Sequence, residues 1–213
     1  MSFLDIALRC AGLGFRVFPL IPKTKRPLPL SEGDHFDAAT IDSKQIKVWA
    51  GQAPKANVGL CPDENFCFVE TDDEAALLEK CNDLPPEIWE TMRVSARENR
   101  CYYVFRQTMR TRKAGNMTVV QPGKPNLFEF KQHRVYVVGP GSIHEKTGKP
   151  YEVHEHTIPA VSARPIFSIW SAIDISNEMP DFHQPRLAIP FGANMNPKIK
   201  RTIFTYQIET TGL

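Results

Sequence analysis

Apolar residues in FLDIALRCAG recur at helical spacing and stop on a glycine, which predicts a helix over residues 3–12. GFRVFPLIP follows as an apolar strand halted by proline, and a proline-rich loop then carries Lys23, Lys25 and Arg26. Asp42 stands where a carboxylate can accept orphan amide hydrogens, predicting a helix through Trp49. NVGLCPDENFCFVE reads as two strands around a Pro-Asp turn. An Ala/Leu-rich run predicts a helix over about 74–81, with a further helical start near Pro85-Pro86. RVSARENRCYYVFRQ is a strand, a polar break and a second strand. In LFEFK, alternation places Phe128 and Phe130 on one side and Leu127, Glu129 and Lys131 on the other. Tyr136 to Val138 forms a strand ended by Gly139-Pro140-Gly141, and KTGKPYEVHEH turns at Thr147-Gly148 into one more. Strands with interspersed helices define an α+β domain over residues 1–160, a mixed or antiparallel sheet flanked by helices. Residues 161–213 are richer in proline and weakly periodic, and read as a linker or partial helical extension truncated from a longer protein.

Composition narrows the class without naming a chemistry. The 213 residues are 42% hydrophobic and 23% charged, ordinary for a folded soluble chain. No apolar run approaches the roughly 18 residues of a membrane span, and no signal-peptide pattern is present, so a cytoplasmic protein is expected. The five cysteines are scattered without a CxxC pair, which disfavours a zinc finger and suits reduced thiols. A net charge of +2 does not by itself imply nucleic acid. The basic residues cluster, however, at KTKR 23–26, RENR 97–100 and RTRK 110–113, each either a solvated surface or a phosphate-binding patch.

The stretch CFVETDDEAALLEK carries a hydrophobic strand straight into acids. Strand alternation turns Glu70 and Asp72 to the same face, where they repel unless something positive lies between them. With Glu129, at the end of another apolar strand, they form a carboxylate constellation suited to hard divalent cations. Two such cations can clamp the attacking and leaving oxygens of a phosphoryl displacement, and Lys131, on the face of Glu129, can neutralise a phosphate oxygen. Simple solvation of acids at a strand end is the competing explanation. Other signatures fail. Gly148-Lys149 lacks the glycine at 143 and the Ser or Thr at 150 that a phosphate-binding P-loop needs. His154 and His156 share a strand face but lack the further ligands of a zinc hydrolase. GPGSI is not the G-x-S-x-G of a serine nucleophile elbow.

The order of these motifs over residues 3–153 resembles the bifunctional primase/polymerase (prim-pol) domain of the archaeo-eukaryotic primase superfamily, found in plasmid, phage and prophage replication proteins. The resemblance rests on GFRVFPLIPKTKRPL, the helix ending in Trp49, NVGL, VETDD, CYYVFR, FEFK and, most specifically, VVGPGSIHEKTGKPYEV. It implies template-directed nucleotidyl transfer for primer synthesis and extension, with Mg²⁺ or Mn²⁺ held by Glu70, Asp72 and Glu129. It also implies a single-stranded DNA template, nucleoside triphosphates and a helicase domain or subunit as partners, and a nucleotide-side role for Ser142 and His144. Two departures stand out. Glu replaces the family's usual Asp at positions 70 and 129. The family's middle-motif histidine falls on Cys101 or Tyr102, so Ser95, Arg97, Arg100 and Tyr102 are the expected nucleotide contacts. Lys23, Lys25, Arg26, Arg110, Arg112 and Lys113 are the expected template contacts. A catalytically weakened module that only binds nucleic acid is the alternative.

Overall fold

The computed structural model describes residues 1–29, 34–84, 86–120, 123–154 and 205–207, with the side chains of 110, 114 and 205–207 excepted. The proposed boundary at residue 160, the segment beyond it and His156 therefore fall outside the described residues, apart from the backbone of 205–207.

The first helix is α1 (Phe3–Gly12), opened by a capping box in which Ser2 and Asp5 satisfy each other's backbone amides. It leads into β1 (Arg16–Leu20), a short α2 (His35–Ala38) and α3 (Ser43–Gln52), which Asp42 caps at Lys44 N–H as expected. Next come β2 (Asn57–Cys61), β3 (Phe66–Thr71) and α4 (Glu74–Lys80). A 3₁₀ turn at Pro86–Trp89 precedes the hairpin β4 (Arg93–Arg97) and β5 (Arg100–Arg106). Then follow α5 (Met109–Ala114), β6 (Met117–Val120), β7 (Asn126–Lys131), β8 (Val137–Val138), β9 (Glu152–His154) and β10 (Thr205–Gln207).

Two sheets result, antiparallel throughout except where β10 runs parallel to β6. One is small, in the order β1-β2-β8; the other has seven strands in the order β10-β6-β7-β3-β5-β4-β9. The α+β class is as expected, but the Pro-Asp turn does not make a hairpin. β2 belongs to the small sheet and β3 to the centre of the large one, so Pro62–Asn65 carries the chain from one layer to the other. Alternation cannot reveal this, because β2 is buried at every position and reads the same whichever sheet it joins.

Each face of the large sheet has its own core. Phe66, Phe68, Val94, Tyr102 and Val104 pack with α1, α3 and the small sheet, and the Tyr102 hydroxyl donates to Val138 O at 2.8 Å to tie the sheets together. Close approach sets one residue here. Gly59 faces Phe18 across β1–β2, and a Cβ would lie 2.4 Å from the Phe18 ring. On the opposite face, Cys67, Val69, Tyr103, Phe105, Phe128 and Phe130 pack beneath Leu77 of α4 and Cys81, which caps its C-terminus. Leu127 corrects the alternation reading: it is fully buried in that same cluster as Phe128 and Phe130, next to the register shift between β6 and β7. All five cysteines are buried free thiols, and burial pushes Cys10 and Cys61 up to about 12.

Candidate active site

β3 delivers its acids to two different places. Phe68 and Glu70 face the small sheet, whereas Val69 and Thr71 face α4. Thr71 Oγ1 donates to Leu127 O at 2.7 Å and accepts from Asp73 N–H at 3.0 Å, which closes the strand end. Asp73 then caps α4 by accepting from Ala76 N–H. Glu74 turns under the helix, where Arg93 pairs with it and Tyr103 Oη (2.6 Å) and Cys101 Sγ (3.1 Å) donate to it. Burial raises the Glu74 pKa, but these donors outweigh burial and hold it down to about 2. Of the run Glu70, Asp72, Asp73, Glu74, two acids are thus structural. The sequence reading missed Glu74, whose signal, an acid in the first turn of a helix, is common to many helices.

Glu70 sits directly across from Glu129 on β7 on one side and from Tyr102 on β5 on the other. Residues paired this way share a face, so the two carboxylates are cross-strand neighbours of like charge, destabilising unless neutralised. The Lys131 ammonium supplies the charge, pairing with Glu70 and with Glu129 Oε2 at 3.3 Å. Lys25 Nζ lies 4.0 Å from Glu70 on its other oxygen. Burial alone would raise the Glu70 pKa, yet Lys131, Lys25 and Arg97 together hold it below the ordinary glutamate range. Asn126 Nδ2 donates to Glu129 Oε1 at 2.8 Å and fixes that carboxylate. Asp72 lies just past the strand end, held by Arg100 Nη1 at 2.7 Å. The side chains of Glu70, Asp72 and Glu129 keep 24%, 29% and 27% exposure, so a ligand can reach all three.

Among the described residues, no group of three or more His, Cys, Asp or Glu side chains is gathered for a metal. Glu70 and Glu129 converge on Lys131 while Asp72 turns to Arg100, so the expected three-carboxylate cluster is a pair and a neighbour. The donor set nonetheless fits a hard divalent cation: oxygen ligands, reachable from solvent, with a monovalent cation already held between two of them.

The remaining expected contacts divide. Arg97 and Arg100 pair at the tip of the β4–β5 hairpin, on the face of the acids. Asn99, between them, adopts φ +58° and docks the tip onto α4: its Oδ1 accepts from Ala75 N–H, its O from Glu74 N–H, and its Nδ2 donates to Asp73. Ser95 is not at the acids. It pairs with Cys101 on the α4 face, and its hydroxyl lies 2.8 Å from His154 Nε2. Tyr102 shares the face of Glu70, but its hydroxyl is committed to Val138 O, and Cys101 points to Glu74. Neither stands in for a phosphate-binding histidine.

Ser142 and His144 are buried beside β2. Ser142 Oγ accepts from Val58 N–H at 2.9 Å, a strand-pinning role. Gly141 enables the turn with φ +93°, where a Cβ would press on Ile6 at 2.9 Å. His144 Nδ1 lies 3.2 Å from Thr147 N–H, and burial, then Arg97 and Lys25, lower the His144 pKa. His144 therefore feels the cations that surround Glu70. The buried Asn57 amide joins this turn to the basic loop: Nδ2 donates to Ile143 O and Thr24 O, and Oδ1 accepts from Ile143 N–H. Lys23 and Arg26 are exposed on the same loop as Lys25. By contrast, Arg112 in α5 donates to Glu64 O before the start of β3, beside a cavity of about 630 Å³ that Gln107 and His133 also line. Strand rise over the four steps from Phe66 to Glu70 separates that end from the acids by at least about 13 Å. Lys113 is exposed on α5, and the Arg110 side chain lies outside the description.

The comparisons agree with this architecture. The family model for the bifunctional DNA primase/polymerase N-terminal domain matches residues 7–167, and the chain belongs to that family. It is a primase/polymerase-type domain, of a nucleotidyltransferase kind. No curated protein sequence matches the chain. Among the described residues no helix is long and apolar enough to cross a membrane.

Proposed function

We propose that the domain carries out template-directed nucleotidyl transfer, making a primer or extending a DNA strand. The observation that carries this reading is the direct cross-strand pairing of Glu70 with Glu129 on a solvent-reached face, in a chain of this family. Glu70, Glu129 and Asp72 are the residues that would hold Mg²⁺ or Mn²⁺, with Asp72 first leaving Arg100. A divalent cation bound there supplies neutralisation of phosphate charge and activation of the attacking hydroxyl. The chain's own residues supply the rest. Lys131, Lys25, Arg97 and Arg100 offer positive charge to the triphosphate, and arginine forks suit phosphate oxygens. Asn126 orients Glu129, and Asn99 holds the arginine-bearing tip in place. Lys23 and Arg26 extend the positive edge toward a single-stranded template, and α5 would meet that strand farther along.

Primer synthesis from labelled nucleotides on single-stranded DNA tests the reading: products with wild-type protein and none with Asp72→Asn support it. The second reading is a binding module without turnover, favoured by the commitment of Tyr102 to Val138 and of Cys101 to Glu74 in place of a phosphate-binding histidine. Stabilisation by Mn²⁺ and a nucleoside triphosphate together, beyond either alone, speaks for the polymerase.

A further inference from the structure

Lys131 occupies an unusual position. Its backbone is opposite Phe68, two residues along the strand from the Glu70–Glu129 pair and so on the same face, and its ammonium leans along the strand to touch both carboxylates. The arm is a flexible four-carbon stem with three rotatable donors, and its side chain still keeps 17% exposure. Lys25, Arg97 and Arg100 border the same carboxylates, so four cations face the three acids Glu70, Asp72 and Glu129. A group with a positive charge in excess favours a polyanion before any metal arrives. An ammonium lodged between Glu70 and Glu129, however, repels a divalent cation seeking the same oxygens.

We infer that Lys131 is an exchangeable counter-ion: it neutralises Glu70 and Glu129 in the ligand-free protein and hands over to the phosphates of a nucleoside triphosphate, leaving both carboxylates to the metal. This deepens the polymerase reading and rests on it. The handover makes triphosphate and metal cooperative, because each favours the same lysine position, and such coupling is reciprocal.

The test is a pair of titrations on Lys131→Gln, with circular dichroism to confirm the fold. Mn²⁺ alone, followed by the resonance of the free ion, should bind about tenfold more tightly than to wild type. A nucleoside triphosphate titrated in EDTA should bind about tenfold more weakly. The opposite signs are the signature. Both constants unmoved, or only one of them moved, overturns the handover. Should Lys131→Gln fail to fold, Glu129→Gln replaces it: with one carboxylate neutral, Lys131 is freer, and triphosphate affinity in EDTA should rise about fivefold, whereas no rise overturns the inference. Wild-type protein that binds neither Mn²⁺ nor triphosphate overturns the polymerase reading together with this one. Wild-type binding of both, with the variants unmoved, overturns this inference alone.

Discussion

Glu70 and Glu74 lie four residues apart on opposite faces of one sheet, and both are held below the ordinary glutamate range by cations. Their surroundings differ in kind. Glu74 has one arginine, a phenol and a thiol, all aimed at it under a helix, and its side chain is only 12% exposed. Glu70 shares its cation with Glu129, has a second cation at 4.0 Å and remains reachable from solvent. A closed set of partners makes an acid part of the scaffold. A shared, open set leaves it free to change partners, which is what ligand binding demands.

Four predictions break or sharpen that contrast. The largest effect is on activity: Asp72→Asn or Glu129→Gln should lower nucleotide incorporation about a hundred- to a thousandfold. Thermal unfolding should hardly move in the same variants, because Glu129→Gln relieves repulsion between crowded like charges and Asp72→Asn loses only a solvent-reached pair with Arg100. Substantial unfolding of either variant would mean that the open site is structural after all. The second is the mirror image. Glu74→Gln leaves the part-buried Arg93 charge without its carboxylate and should cost about 3 kcal/mol in denaturant unfolding.

The third reads the same acid through pH. A folded-state pKa of about 2 against an ordinary 4.5 means that the Glu74 contribution is complete above pH 4.5 and lost as pH falls toward 2. That shift corresponds to about 3 kcal/mol. Stability followed from pH 6 to 2 should show the decline in wild type and a shallower one in Glu74→Gln. The fourth and smallest concerns the tip between the two faces. Asn99→Ala removes the amide that docks the hairpin on α4 and leaves alanine at a positive φ, for about 1 kcal/mol or more. Asn99→Gly relieves the φ but not the lost amide. A KM for nucleotide raised in both variants would show that docking, not backbone strain, positions Arg97 and Arg100.

The legible parts of the molecule were those with local signals. α1 and α3 followed from periodicity and caps, and the β4–β5 hairpin from its polar break. That Glu129 and Lys131 share a face followed from strand alternation, whereas Asp72 lies past the end of β3, where alternation no longer applies. That Glu70 meets Glu129 did not follow, because which strands become neighbours is long-range information; the family resemblance supplied it. The α5 helix was read only as a run of charge, although Thr108 and Thr111 form a reciprocal cap there. Ser95 and Tyr102 were assigned to the nucleotide by their strand. One residue of register separates the two faces, and a hydroxyl already engaged elsewhere leaves no mark in a sequence.

The Asn57 amide has a consequence in time. It closes contacts between segments 33 and 86 residues apart in the chain, joining Thr24 and Ile143 to β2. Contacts so distant along a chain form slowly, because a long loop must be closed before they repay its entropy. Helices and the β4–β5 hairpin can assemble from neighbours, whereas the Lys25 loop and the His144 turn must wait for β2 to lie between them. On the proposed reading, a refolding chain therefore regains most of its secondary structure before its triphosphate site is complete, and recovery of binding should lag behind recovery of circular dichroism. Asn57→Ala would lengthen that lag while leaving the early phase unchanged.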